Sequence, residues 1–153
     1  MTLTTRLLHL LDRSRPAPVA SAHCDGPCGV YDPASARVAA EAVHSMTKKL
    51  LGLDMSAAGA HNTYSRFVAI KEEQAELTKK ELNILWHDYF KPEHLEAYPE
   101  LHETFWMAAK AASRAKQELS EDASADLLAK VEAVHHLFWA TKGREVEWVL
   151  AAP

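Results

Sequence analysis

From Pro33 to Gly143 the apolar residues recur at three- and four-residue steps, and no stretch alternates with period two. That rhythm is helical, and it excludes a sheet-based architecture for most of the chain. The punctuation agrees with it. Asp32-Pro33 is a start signal, a capping carboxylate followed by the residue favoured at the first helical position. Val38, Ala42, Met46, Leu50 and Leu53 then form the expected stripe of a first helix that ends near Gly52. Asn62 or Thr63 caps a longer second helix, with Phe67, Ile70, Gln74, Leu77, Glu81, Leu85 and Trp86 as its stripe. It stops at Phe90-Lys91, because the residue before Pro92 is pushed out of the helical region. A short segment over 93–98 follows. Pro99 opens a third helix through Leu101, Phe105, Ala108, Ala109 and Ala112 to about Leu119. The fourth runs from about Ala123 to Lys142 through Leu127, Leu128, Val131, Val134, Phe138 and Trp139, and Gly143 stops it. One further helical turn is expected around Val146–Val149. The fold class is all-α, an antiparallel four-helix bundle, in three parts: a leader over 1–22, the bundle with its N-terminal hook over 23–142, and a tail over 143–153.

The bulk numbers narrow the function. A net charge of -4 leaves no basic footprint for nucleic acid. Nothing approaches the roughly 18 consecutive apolar residues of a membrane span. The two cysteines both fall in His23-Cys24-Asp25-Gly26-Pro27-Cys28-Gly29-Val30-Tyr31-Asp32-Pro33, too few for a disulfide framework, so they read as a metal or redox site. Residues 1–22 carry Arg6, Arg13 and Arg15 against Asp12, a short apolar run at 7–11, and the small-residue tract Ala20-Ser21-Ala22. An A-x-A ending suits a peptidase. A secretory leader, a leader removed for another purpose and an uncut terminus compete here. Charge and proline between the run and the tract favour the second.

Bundles often house metals. Glu41-Ala42-Val43-His44 and Glu132-Ala133-Val134-His135 both have the E-x-x-H form of di-iron bundles. At about 100° per residue, Glu41 and His44 turn away from the stripe centred on Ala42 and Met46, toward solvent. His135 sits near the apolar face and Glu132 does not. His61, His94, His102 and His136 read as solvated, and His87 and His135 as core-edge histidines.

The hook is the stronger candidate. Thiolates suit soft or borderline metals, and Gly26-Pro27 makes a tight turn that brings both sulfurs onto one ion. Three ligands are too few for a structural zinc tetrahedron. Cleavage after Ala22 changes the donor count. His23 then offers a free amine and a tethered imidazole, and the Cys24 amide nitrogen joins the two thiolates. Amine, amide and two sulfurs form a planar set of the kind preferred by nickel(II) or copper(II). A metal-free thiol redox pair is the alternative; its two-residue spacer and βαβ setting are absent.

The hook is similar, nearly residue for residue, to that of the nickel superoxide dismutase family. The similarity continues through Ala34, Arg37, Ile70-Lys71-Glu72, Ala75-Glu76-Leu77, Leu85 to Pro92, Tyr98 to His102, Phe138-Trp139 and Thr141-Lys142. The resemblance implies a four-helix bundle assembled as a homohexamer, one nickel per subunit cycling between two oxidation states, and conversion of superoxide to oxygen and hydrogen peroxide. It implies a dedicated processing peptidase cutting between Ala22 and His23, and a cytoplasmic enzyme. By position, His23 supplies amine and axial imidazole, Cys24 amide nitrogen and thiolate, and Cys28 thiolate. Tyr31 lies by the open side of the nickel, where it admits small anions and orders water; Asp25 and a cis Pro27 shape the hook. Three positions depart from the pattern. Gly26 stands where leucine is usual. Ala39 and Gln74 stand where a glutamate and an arginine usually steady the axial imidazole. These departures leave two rivals to the enzyme, a non-catalytic nickel-storage protein and a thiol redox protein using Cys24 and Cys28.

Overall fold

A computed structural model describes residues 29–151. Its elements are α1 (Ala34–Leu51), α2 (Ala60–Ile84) continued by a π-helical turn (Leu85–Tyr89), the short α3 (Pro92–Ala97), α4 (Leu101–Gln117) and α5 (Glu121–Thr141). α1 packs on α2 and α5, α4 packs on the same two, and α1 and α4 lie nearly diagonal. With short connections this is an up-down-up-down bundle of four long helices. Asp32 Oδ1 accepts the Ala34 N–H at 2.8 Å, the cap expected at the start of α1. Ser120 Oγ accepts the Ala123 N–H at 3.2 Å at the start of α5. Gly143, at φ +63°, ends that helix in the left-handed region that a side chain disfavours.

The apolar stripes of the four long helices separate into two kinds. On α4 and α5 they fall where periodicity places them, on Leu101, Phe105, Ala108 and Ala112, and on Leu127, Val131, Val134, Phe138 and Trp139. On α1 and α2 they are rotated. The buried line of α1 is Ala36, Ala39, Ala40, Val43, Thr47 and Leu50, while Val38 is 53% exposed. That of α2 is Lys71, Ala75, Thr78 and Leu82, then Leu85, with Ile70 and Leu77 at the surface. Small side chains let the helices approach closely, so alanines rather than the largest apolar residues make the contact. Thr47 and Thr78 return their hydroxyls to their own helices, at Val43 O and Gln74 O, both at 2.8 Å.

Lys71, 3% exposed, inverts the usual rule for lysine. Its ammonium donates to Ala115 O at 2.7 Å, Lys116 O at 2.8 Å and Glu118 O at 3.0 Å. It thereby neutralises the partial negative charge at the end of α4. Desolvation holds its pKa below the ordinary lysine value.

Other expectations change as well. α2 starts at Ala60 behind Gly59, ahead of Asn62 and Thr63, and its last turn widens to a π turn closed by Phe90 N–H to Leu85 O at 3.2 Å. α4 starts at Leu101, two residues after Pro99, and the 93–98 segment is largely the helix α3. No helical turn forms over 146–149. The tail instead runs back across α1 and α5, where His135 Nε2 donates to Val146 O at 2.9 Å and the Ala151 N–H donates to Glu41 Oε2 at 2.7 Å. Those bonds, with the Trp148 ring 5.3 Å from His135, hold it against the bundle.

Candidate active site

The leader and the hook residues His23, Cys24, Asp25, Gly26, Pro27 and Cys28 lie outside the described residues, as does any cis bond at Pro27. The hook's exit lies within them. Gly29 has φ +66°, and the chain passes exposed Val30 to half-buried Tyr31 before Asp32 caps α1. Tyr31 is thus tied by three residues to Cys28 on one side and by the start of α1 to the bundle on the other.

Tyr31 packs on Tyr89, ring centroids 5.7 Å apart. The π turn presents Leu85, Trp86, Tyr89 and Phe90 to the core together, a use of the widened turn common at functional sites. Tyr89 lies 4.6 Å from Phe138, 4.9 Å from Phe90 and 5.4 Å from the His94 ring, nearly parallel to the last. Its hydroxyl is 2.7 Å from Thr141 Oγ1. The Lys142 ammonium stands over three rings, 5.1 Å from Tyr89, 5.0 Å from Phe138 and 5.9 Å from Trp139. Among the described residues no carboxylate pairs with Lys142. The hook therefore joins the bundle at an aromatic floor with an unneutralised cation beside it. Such a surface suits a small anion.

The E-x-x-H residues do not converge. Glu41 is buried, not turned to solvent, and is bonded to Arg37 and the Ala151 N–H. His44 is half-buried with Nδ1 2.9 Å from Ser124 Oγ. Both corrections follow from the rotation of α1. Glu132 is near His136 at 3.7 Å, and His135 is buried under the tail. Among the described residues no three histidine, cysteine or acidic side chains could hold a metal ion together. His87 is exposed, not at the core edge, with Nδ1 2.7 Å from Asn83 O, because α2 too is rotated. His94 is half-buried rather than solvated, since α3 folds it onto Tyr89. Sequence reasoning named Tyr31 but not Tyr89, Thr141 or Lys142 as parts of one site. The residue blocks Leu85 to Pro92 and Thr141-Lys142 were the available signal.

The comparisons with known proteins agree. The profile of the nickel-containing superoxide dismutase family matches residues 18–142. The chain is 45% identical over 122 residues to superoxide dismutase [Ni] of Streptomyces seoulensis, covering 80% of this chain and 89% of that protein. It is 42% identical over 127 residues to superoxide dismutase [Ni] of Streptomyces coelicolor, covering 83% and 93%. The structure is similar to the oxidised-state crystal structure of a nickel-containing superoxide dismutase, with TM-score 0.71, 43% identity, and 80% of this chain and all of that chain covered. It is similar to a native nickel superoxide dismutase structure at TM-score 0.71 and 42% identity, covering 78% and 99%. A donor-rich hook beginning at His23, the helical bundle and this extent of identity lead to one assignment: the chain belongs to the nickel-containing superoxide dismutase family, enzymes that use nickel to dismutate superoxide.

Proposed function

We propose that the catalytic nickel is held by the terminus that processing exposes at His23. The His23 amine and imidazole, the Cys24 amide nitrogen and the Cys24 and Cys28 thiolates would hold it. The chemistry of this donor set fits nickel, since anionic nitrogen and sulfur stabilise its higher oxidation state. When bound, the metal supplies the electron chemistry, passing one electron from superoxide and one to it. Superoxide gives up one electron to become oxygen in one half-reaction; in the other, a second superoxide takes up that electron and two protons to become hydrogen peroxide.

The chain's own part is access and orientation. Residues 23–153 hold 14 Lys and Arg against 20 Asp and Glu, a net -6, so attraction of the anion is local. Lys142 meets that need. Tyr31 screens the approach and orders water at the hook. The observation that carries this role is its position, between Gly29 and α1 and against Tyr89.

A removable leader over 1–22, cut by a processing peptidase between Ala22 and His23, completes the scheme. The enzyme works in the cytoplasm as a homohexamer, with residues 23–142 as its domain and 143–153 as its tail. Among the described residues no helix is long and apolar enough to cross a membrane. The exposed Val38, Ile70, Leu77 and Trp106 offer apolar surface for assembly.

The test is nickel content and superoxide dismutation measured on one sample of a chain made to begin at His23. About one nickel per chain with turnover is expected; nickel without turnover would indicate a storage protein, and absence of nickel a thiol protein.

Ala39, which stands where the resemblance implies a glutamate steadying the His23 imidazole, is 1% exposed and carries no polar group. The one carboxylate of α1, Glu41, is committed to Arg37 and the tail. A partner that orients a ligating imidazole also raises its basicity. The axial His23 nitrogen coupling in the electron paramagnetic resonance spectrum of the oxidised form is therefore expected to be weak. A strong, ordinary axial coupling would sink this expectation.

A further inference from the structure

The end of α5 makes a one-way hydrogen-bond chain. As its last turn tightens, the Lys142 N–H turns to Trp139 O at 3.1 Å. The Thr141 hydroxyl takes the Phe138 carbonyl instead, at 2.7 Å. A threonine hydroxyl has one hydrogen, and a carbonyl can only accept. The 2.7 Å contact between Thr141 Oγ1 and the Tyr89 hydroxyl is satisfied only if Tyr89 donates and Thr141 accepts. The Tyr89 hydrogen is then committed to the bundle, and its phenolic oxygen is left with lone pairs alone.

We infer that Thr141 is a positioning residue for the dismutation site: by taking the Tyr89 hydrogen, it makes Tyr89 a hydrogen-bond acceptor for the O–H groups of Tyr31 and of water at the hook. The inference rests on the reading of Tyr31 as the residue beside the nickel. Packing holds Tyr89 in place for this role. Phe90, His94 and Phe138 surround its ring, so its hydroxyl has little freedom to choose another acceptor. Tyr89 then delivers no proton to superoxide; the two protons of hydrogen peroxide come from water and whatever that water contacts.

Thr141→Val keeps the shape and removes the hydroxyl, whereas Thr141→Ser keeps the hydroxyl. The first readout needs no metal. Carbon-13 NMR of the labelled Tyr89 ring carbon that bears the hydroxyl, in mixed light and heavy water, reports hydroxyl exchange. In the metal-free chain beginning at His23, T141V is expected to speed that exchange about tenfold, and T141S to leave it near the parent rate. In nickel-loaded enzyme, T141V should lower kcat/KM about fivefold at unchanged nickel content, the worth of one ordinary hydrogen bond, with T141S restoring it. Unchanged Tyr89 exchange in T141V overturns the inference. So does faster exchange with unaltered kcat/KM while Tyr31→Phe is impaired, which would leave Thr141 a helix-end support only. If Tyr31→Phe turns over like the parent, the site reading itself has failed and the inference falls with it. In that case the exchange result still reports whether the Thr141–Tyr89 bond exists.

Discussion

Cys24→Ser or Cys28→Ser, in a chain beginning at His23, is expected to reduce nickel binding and superoxide dismutation by more than about a hundredfold. Loss of a partner that merely supports a ligand costs about 10–100-fold, and a ligand lost outright costs more. A serine hydroxyl is nearly isosteric with the thiol, yet it stays protonated near neutral pH and is a hard donor where a soft one is needed. Extending the chain back to Met1 should have the same effect by another route, since it turns the His23 amine into a peptide nitrogen. Helix content should survive all three changes, because the ligands precede α1 and the buried core cluster runs from Ala36 to Trp139. Metal analysis, a dismutation assay and far-ultraviolet circular dichroism on the same samples decide it. Full nickel loading of either serine variant would remove that cysteine from the ligand set.

Phe138→Ala is expected to have the largest effect on stability, about 3–5 kcal/mol. Phe138 is fully buried and is the largest such side chain in the described core. It lies 5.0 Å from Trp139, 4.6 Å from Tyr89 and 6.4 Å from Phe90, and Lys142 stands above it. Alanine would leave a cavity under Tyr89 that the bundle can only partly close. Urea denaturation followed by circular dichroism measures the loss. A cost under about 1 kcal/mol would show that the end of the bundle collapses into the space. Such a collapse would also displace Tyr89 from Tyr31.

Much of the bundle was legible in sequence because its punctuation is local. Asp32-Pro33, Ser120 and Gly143 act through hydrogen bonds and dihedrals within a few residues. The stripes of α4 and α5 carry large apolar side chains whose spacing leaves one choice of face. On α1 and α2 the same reasoning chose the wrong face. There the contacts are made by Ala36, Ala40, Ala75, Thr78 and the stem of Lys71, whose identities say little about burial. The error propagated to Glu41, His44 and His87.

The proposed metal ligands follow the same local logic. His23, Cys24 and Cys28 span six positions, so their donor chemistry could be written down before any fold was known. Family membership followed from that stretch and from the matching blocks downstream. The surroundings of the hook did not. Tyr31, Tyr89 and Thr141 are separated by more than fifty residues at each step, and only the return of α5 beside the π turn brings them together. The tail is another case, held against the bundle by Glu41 and His135 rather than by any preference of its own. Sequence alone determined the ends of α1 and α5 and suggested a donor set, because both readings depend on neighbours along the chain. The tertiary structure decided which faces are buried and which groups meet Tyr31 and Tyr89, because each depends on a partner that only packing supplies.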